Sequence, residues 1–371
     1  MSELNRHHKT LELPRILSML GELAGCQETK ELALALRPAC DYREAKALLE
    51  RTRDASYLSG KYGGPSIYGL VPIVPILERA RVGSMLSMKE LLMVALMLRT
   101  ARNLCAWRRL GGEEEGSSLD GFFARLVPDR PLEEEITRAI LSEDEIFDHA
   151  SPELYDIRRR MRGAGQKARE LLERIIRSST YQKYLQEQII TIRNGRFVVP
   201  VRSECRGEIQ GLVHDTSSSG ATVFVEPMAV VEQNNLIREL EGKEQAEITR
   251  ILLAFTGRVG EQAQEQILSY RAMLELDLIF AKSRLADRMR ATIPILSEEG
   301  ETRLKRARHP LIPGERVVPI DILLGGEFDT LVITGPNTGG KTVALKTLGL
   351  LTLMASCGLM IPAAEESKVR Y

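Results

Sequence analysis

The sequence lacks the features that would mark a metal-binding, disulfide-linked or strongly charged protein. Its 371 residues include five cysteines, and no two of them have the Cys-x-x-Cys spacing of a metal or redox site. Neither a disulfide framework nor a structural zinc site is therefore expected. Basic and acidic side chains number 51 each, so the formal charge is zero and no polybasic arm or acidic tail dominates. The length and ordinary composition predict a folded protein of two or three domains.

A secretory signal and a membrane-spanning segment are also missing. The amino terminus contains no apolar core. The longest apolar stretch, residues 347–364, approaches spanning length but follows Lys346 and a phosphate-loop motif, so it is predicted to be a buried helix. We therefore expect no membrane contact and a cytoplasmic location.

The zero net charge is a cancellation between two neighbouring segments. Residues 111–156 carry fourteen acids and three bases, whereas residues 157–200 carry eleven bases and three acids. The basic segment could contact nucleic-acid phosphates without reading sequence. For the run RRRMR the solvated face of a helix is the favoured interpretation, and these residues could also pair with the acids just upstream. The candidate residues are Arg158, Arg159, Arg160, Arg162, Lys167 and Arg169.

Two stripes of apolar residues predict long helices on either side of a small sheet. Spacings of three and four from Leu154 to Ile175 indicate one helix, and a second stripe lies within the proline-free stretch 228–293. About sixty helical residues would span roughly 90 Å, with kinks allowed at Gly242, Gly257 and Gly260. Between the stripes, period-two patterns predict strands at 196–201, 209–214 and 221–226. This pattern favours a helical arm with a sheet at its tip, the alternative being a bent helical bundle.

A phosphate-loop motif is the feature of the sequence that indicates a chemical function most specifically. A predicted strand at 330–334 precedes it and an apolar helix follows, which is the setting that the motif requires. Glycines let backbone N–H groups surround phosphates, and the helix dipole favours the same anion. Lys341 is suited to the β- and γ-phosphates of ATP and the Thr342 hydroxyl to Mg²⁺. The predicted nucleotide-binding residues are Gly335, Pro336, Asn337, Thr338, Gly339, Gly340, Lys341 and Thr342.

No strand ending in a pair of acids follows Thr342, so neither a Walker-B carboxylate nor a catalytic base can be assigned. Hydrolysis by this chain alone is doubtful. We expect that the chain ends inside its catalytic domain, as an expressed fragment or an incomplete reading frame.

Three segments carry a family resemblance. Residues 335–342 and the following helix resemble the loop of MutS-type ATPases, and Arg-His-Pro at 308–310 resembles the element that opens that ATPase domain. Residues 194–235, which contain VHDTSSSGATVFVEP, resemble the bacterial MutS-two branch, often called endonuclease MutS-two. The resemblance covers essentially the whole chain.

The resemblance implies a mainly α fold with a small antiparallel β insertion, in a MutS-like arrangement of core, lever and clamp. The start of an α/β phosphate-loop ATPase domain would follow. The implied division is a helical core at 1–150, lever arms at 151–190 and 228–293, a β-rich clamp at 191–227 and an incomplete ATPase domain at 294–371. Such proteins form homodimers with composite ATPase sites.

For function, the resemblance implies an ATP hydrolase that uses Mg²⁺ and clamps branched or mismatched DNA, or stalled ribosomes through their rRNA. The implied roles are sensing of DNA damage, suppression of homologous recombination, and detection and splitting of collided ribosomes. Endonuclease activity would belong to a carboxyl-terminal Smr domain outside these residues. One alternative is a non-enzymatic arm for dimerisation and nucleic-acid binding. An SMC-like coiled-coil ATPase is disfavoured because its phosphate loop precedes the long coil.

Overall fold

The computed structural model describes residues 3–111, 116–334 and 340–371. Helices dominate, which confirms the expectation of a mainly α fold. None of the helices in these ranges is both long and apolar enough to cross a bilayer. The helices are α1 (Glu3–Thr10), α2 (Leu13–Gly21), α3 (Gln27–Ala35), α4 (Tyr42–Tyr62), α5 (Val74–Arg81), α6 (Met88–Arg108), α7 (Asp120–Phe123), α8 (Arg130–Ala139), α9 (Pro152–Arg177), α10 (Ser179–Gln182), α11 (Met228–Glu261), α12 (Ala263–Met289) and α13 (Lys341–Ser356).

The chain divides into two compact units. The first comprises residues 1–82, 93–134 and 259–371, and the second comprises residues 83–92 and 135–258. Each contains one small sheet. The strands are β1 (Thr191–Arg193), β2 (Arg196–Arg202), β3 (Gly211–Thr216), β4 (Thr222–Pro227), β5 (Ile295–Ser297), β6 (Glu301–Ala307), β7 (Ile320–Gly325) and β8 (Lys368–Arg370).

The sheet of the second unit is antiparallel, in the order β1-β2-β4-β3, and it confirms the small sheet predicted between the two stripes. Its core joins Val199 and Val225 to Leu172 of α9 and Val230 of α11. Strand β3 begins two residues later than predicted. Strand β1 was not predicted, because three residues are too short to show a period-two pattern.

The sheet of the first unit has the order β5-β8-β6-β7, in which β5 and β8 are parallel and the other neighbours antiparallel. It adjoins a core to which α2, α12 and α13 all contribute, including Leu20, Leu285, Leu350 and Met354. These four strands were not predicted from the sequence. Two of them have only three residues each, and their partners lie far apart in the chain.

The second long helix is broken, which corrects the expectation of one element from 228 to 293. Gln262 has φ −105° and ψ 6°, so α11 ends at Glu261 and α12 begins at Ala263. Two residues earlier, a Cβ on Gly260 would lie 2.5 Å from the carbonyl oxygen of Ala80. The helix therefore passes against the end of α5 at a distance that only glycine allows.

The proline-spaced segment VPIVPI, residues 71–76, has the sequence pattern of a loop, but only its first part is one. Helix α5 begins at Val74, and Pro75 occupies its first turn. A proline there loses no intrahelical hydrogen bond, since the first N–H groups of a helix have no partner within it.

Two glycines of α11 give a matched test of this packing. We expect Gly260→Ala to lower the free energy of unfolding by roughly 1–3 kcal/mol, because its Cβ would overlap the Ala80 carbonyl. Gly257→Ala should raise it by about 0.5–1 kcal/mol, since nothing lies within 4 Å of that Cβ and alanine favours a helix. Urea unfolding of both variants measures the difference. Equal effects would contradict the close approach at Gly260.

Candidate nucleotide and nucleic-acid sites

The amino-terminal end of α13 carries the described part of the predicted nucleotide site. Helix α13 begins at Lys341, and Gly340 precedes it with φ 81°, a left-handed conformation that favours glycine. Thr342 lies exposed in the first turn. Gly335, Pro336, Asn337, Thr338 and Gly339 lie outside the described residues. The arrangement fits an anion at the helix start, and the Thr342 hydroxyl is available to Mg²⁺ held chiefly by phosphate oxygens.

The strand predicted at 330–334 is not formed, which corrects that expectation. Within the described ranges, residues 330–334 pair with no strand of either sheet. Leu331 and Val332 are 41% and 76% exposed. The apolar pattern is that of a strand, but a strand exists only where a neighbour takes its backbone hydrogen bonds.

Two side chains of neighbouring helices bind the carboxyl-terminal end of α13. The buried Lys282 of α12 donates from Nζ to the carbonyl oxygen of Cys357 at 2.8 Å. Thr52 of α4 donates from Oγ1 to the carbonyl oxygen of Gly358 at 2.7 Å. These carbonyls follow the last turn of α13 and have no partner within the helix, so the two side chains satisfy them. The positive charge of Lys282 also interacts favourably with the negative end of the helix dipole. Burial lowers the pKa of Lys282 to about 8.

The Arg-His-Pro element has a structural role that the sequence did not reveal. Arg308 donates from Nη2 to the carbonyl oxygens of Met289 and Arg290, at 3.2 and 2.7 Å. It thereby caps the end of α12. His309 is buried beside it, and burial lowers the pKa of its imidazole.

The six candidate phosphate-binding residues of α9, which we call the basic strip, are Arg158, Arg159, Arg160, Arg162, Lys167 and Arg169. Three of the six form ion pairs with carboxylates. Arg158 donates to Asp148 at 2.7 Å, to Glu244 at 2.6 Å and to the carbonyl oxygen of Ile146 at 2.9 Å. Arg162 also pairs with Asp148, at 2.9 Å. Arg159 pairs with Asp156 at 2.5 Å. These contacts favour the alternative in which the strip binds the acids just upstream.

The remaining residues of the strip are exposed. Arg160 lies close enough to Glu239 to lower the pKa of that carboxyl, although Lys243 is the larger cause. Lys167 forms no ion pair within the described ranges. The guanidinium of Arg169 stacks over the ring of Phe197 at 5.5 Å. Arg162, Gln166 and Arg169 line one hollow of about 420 Å³ with that ring.

The histidine and serines of the VHD segment form a structural network. Glu226 is fully buried and its carboxylate accepts hydrogen bonds from Arg196 at 2.8 Å and from Asn234 at 2.7 Å. Nε2 of His214 contacts the same carboxylate. Ser217 accepts from the backbone N–H of Thr222 at 3.1 Å, which closes the turn between β3 and β4. These contacts favour a strand, turn and strand over hydrolase chemistry.

Comparison with known proteins identifies long and similar relatives. No family model matches the chain. It is 44% identical over 363 residues to a protein of Agathobacter rectalis named endonuclease MutS2, covering 98% of this chain and 46% of that protein. It is 45% identical over 364 residues to endonuclease MutS2 of Acetivibrio thermocellus, covering 97% of this chain and 46% of the relative. The chain thus spans about half the length of the curated relatives it matches.

The buried lysine predicts a pH-dependent contribution to stability. Above about pH 8 the folded state releases the Lys282 proton, whereas the unfolded state keeps it up to about 10.5, so the unfolded state binds more protons and stability rises with pH. From pH 7 to pH 9, the unfolding free energy of the wild type should rise by about 1 kcal/mol relative to Lys282→Met. Denaturant unfolding at each pH provides the measurement.

The control is Lys305→Met, which replaces a lysine whose side chain is 41% exposed and paired with Glu366. It should show no such difference across this pH range. A constant gap between the wild type and Lys282→Met would contradict the burial of a titrating amine.

Proposed function

The chain belongs to the MutS2 family and matches about half the length of its relatives, and we propose that it forms the nucleotide-binding and clamp-forming part of an ATP-driven protein that encloses nucleic acid. ATP and Mg²⁺ are the proposed ligands, and a second copy of the chain is the proposed dimer partner. We also propose the domain division given by the resemblance: core 1–150, lever arms 151–190 and 228–293, clamp 191–227, and part of an ATPase domain at 294–371.

The start of α13 is the observation that carries the nucleotide proposal. Gly340 has a left-handed backbone conformation and directly precedes a helix whose first two residues are Lys341 and Thr342, as a phosphate-loop motif requires. When bound, ATP would supply the free energy that changes the conformation of the clamp. Lys341 would neutralise its phosphates, and Thr342 would hold the metal in place.

The exposed part of the basic strip supports nucleic-acid binding through phosphates. Arg160 and Lys167 are exposed, and Arg169 lines a hollow with Arg162 and a stacked aromatic ring. Such contacts position a protein on a backbone but do not read bases. The proposed ligands are branched or mismatched DNA and the rRNA of stalled ribosomes. Recovery of nuclease-resistant DNA or rRNA with the protein from cells distinguishes recombination control from ribosome rescue.

The relatives are named endonucleases, and we propose that nuclease activity lies outside these 371 residues, in the Smr domain that the resemblance implies. The second candidate function is a non-enzymatic arm for dimerisation and nucleic-acid binding. The exposed cations Arg160 and Lys167 favour it, because they can bind phosphates without nucleotide hydrolysis. Steady-state ATP hydrolysis by the purified chain that Lys341→Ala abolishes would argue against this second function.

Nucleotide binding is tested at Lys341. We expect Lys341→Ala to weaken binding of a fluorescent ATP analogue with Mg²⁺ by roughly tenfold to a hundredfold, because it removes a charged donor to the phosphates. The matched control is Lys346→Ala on the same helix, whose side chain pairs with Glu12 at 3.1 Å. Titration of the chain and of the full-length protein gives both affinities. Unchanged binding would remove the proposed role of Lys341.

The two halves of the strip should respond differently to substitution. Replacing Arg160 and Lys167 together by glutamine should reduce the slope of log affinity for duplex DNA against log salt by about two, because two phosphate contacts are lost. Arg158→Gln should instead lower the free energy of unfolding by roughly 1–3 kcal/mol, since it leaves Asp148 and Glu244 without their shared partner. An unchanged salt slope in the double variant would leave the strip as a solvated face.

A further inference from the structure

Three neighbouring aromatic rings, which showed no signal in the sequence, lie on the surface of the second unit; His149 and Tyr155 are stacked, whereas Phe147 is tilted by 52° to His149. The ring centroids of Phe147 and His149 are 5.4 Å apart, and those of His149 and Tyr155 are 4.4 Å apart with nearly parallel planes at 18°. Phe147 is 41% exposed and Tyr155 is 37% exposed. His149 is exposed as well. We call these three side chains the aromatic ladder.

The backbone beneath the aromatic ladder is fixed on both sides. Ile146 and Leu154 are buried in one apolar cluster with Ile251 of α11. Ser151 caps α9 by accepting from the backbone N–H of Leu154 at 3.0 Å, and its hydroxyl donates to the buried Glu247 at 2.6 Å. The backbone that carries the rings is therefore ordered before any partner arrives, which lowers the entropy lost on binding.

The charge around the aromatic ladder is negative. Residues 141–156 contain no lysine or arginine and six acids, namely Glu143, Asp144, Glu145, Asp148, Glu153 and Asp156. Lys89 pairs with Glu143, and the arginines of α9 pair with Asp148 and Asp156. Asp144 and Glu145 form no ion pair among the residues that the structure describes, and both are exposed. Net negative charge thus remains within three residues of Phe147.

We propose that the aromatic ladder is a docking surface for a basic polypeptide segment. Arginine side chains of the segment stack on the rings of Phe147 and Tyr155, while Asp144 and Glu145 neutralise its charge. A guanidinium suits this surface because it is planar, always charged and weakly hydrated, and it binds both to aromatic faces and to carboxylates. The proposal is independent of nucleotide binding.

The same charges disfavour a nucleic acid at this place. Stacked rings also bind unpaired bases, but such sites need cations that follow the phosphate backbone. Three arginines at the start of α9, Arg158, Arg159 and Arg162, already bind Asp148 and Asp156. A phosphate backbone here would meet the carboxylates of Asp144 and Glu145.

The test compares three fluorescein-labelled probes by anisotropy: nona-arginine, nona-lysine and a single-stranded oligothymidylate. The wild type should bind nona-arginine more tightly than nona-lysine, because only arginine stacks well on the rings. The double variant Phe147→Leu, Tyr155→Leu should weaken nona-arginine binding roughly fivefold and abolish that preference. Asp144→Asn with Glu145→Gln should weaken both peptides to a similar degree.

The matched control is Tyr181→Leu in α10, which removes another tyrosine that is 37% exposed in the same unit. It should leave both peptide affinities unchanged, and circular dichroism of each variant checks that the fold is kept. Equal binding of the two peptides by the wild type, or no loss in the ring variant, would overturn the proposal. Loss of oligothymidylate binding with unchanged peptide binding would also overturn it and assign the surface to nucleic acid.

Discussion

Burial of α12 is the constraint on which the first unit depends. Most of this helix is enclosed by protein, so each of its polar side chains needs a partner within the fold. Asp277 accepts from the backbone N–H of Gly25 at 2.7 Å, Tyr270 bonds Glu28, and Lys282 binds the end of α13. These bonds reach segments far apart in the chain. A shift of α12 would leave several buried charges unpaired at once, and we infer that the phosphate-loop helix and the amino-terminal helices are positioned together through it.

The second unit is organised around a buried charge in the same way. Glu226 is the glutamate of the segment VHDTSSSGATVFVEP, and His214 lies in the bulge between β3 and β4, where its ring contacts that carboxylate. Asn234 of α11 joins the same carboxylate to the carbonyl oxygen of Phe197. The polar side chains of this segment therefore hold the sheet against α11, because a buried carboxylate is tolerated only when hydrogen bonds and ion pairs satisfy it. Packing of valines alone would leave the register of these strands less well specified.

Local periodicity predicted much of this fold, and contacts between distant residues explain what it missed. The stripe that starts at Leu154 gives α9 correctly, because the repeat depends only on which face of one helix is buried. The close approach of α11 to the carbonyl of Ala80 at Gly260 could not be predicted, since the two residues lie far apart in the chain. Residues 330–334 have the pattern of a strand, but among the described residues no strand pairs with them. For the candidate site, the motif identified Lys341 and Thr342, whereas Lys282 and Thr52 show no signal in sequence because they act on carbonyls of another helix.

The charges of the acidic and basic segments cancel in the composition, and residues of the two segments also form ion pairs in the structure. As a result, α9 carries two different surfaces. At its start, Arg158, Arg159 and Arg162 pair with Asp148, Asp156 and Glu244, whereas Asp144 and Glu145 nearby form no ion pair among the described residues. Further along, Lys167 is exposed without an ion pair among the described residues, and the local charge becomes positive. Because screening confines such effects to roughly 10 Å at physiological salt, each surface attracts its own partner with little interference from the other. One helix can thus present carboxylates and rings to a basic segment at its start and cations to phosphates beyond it.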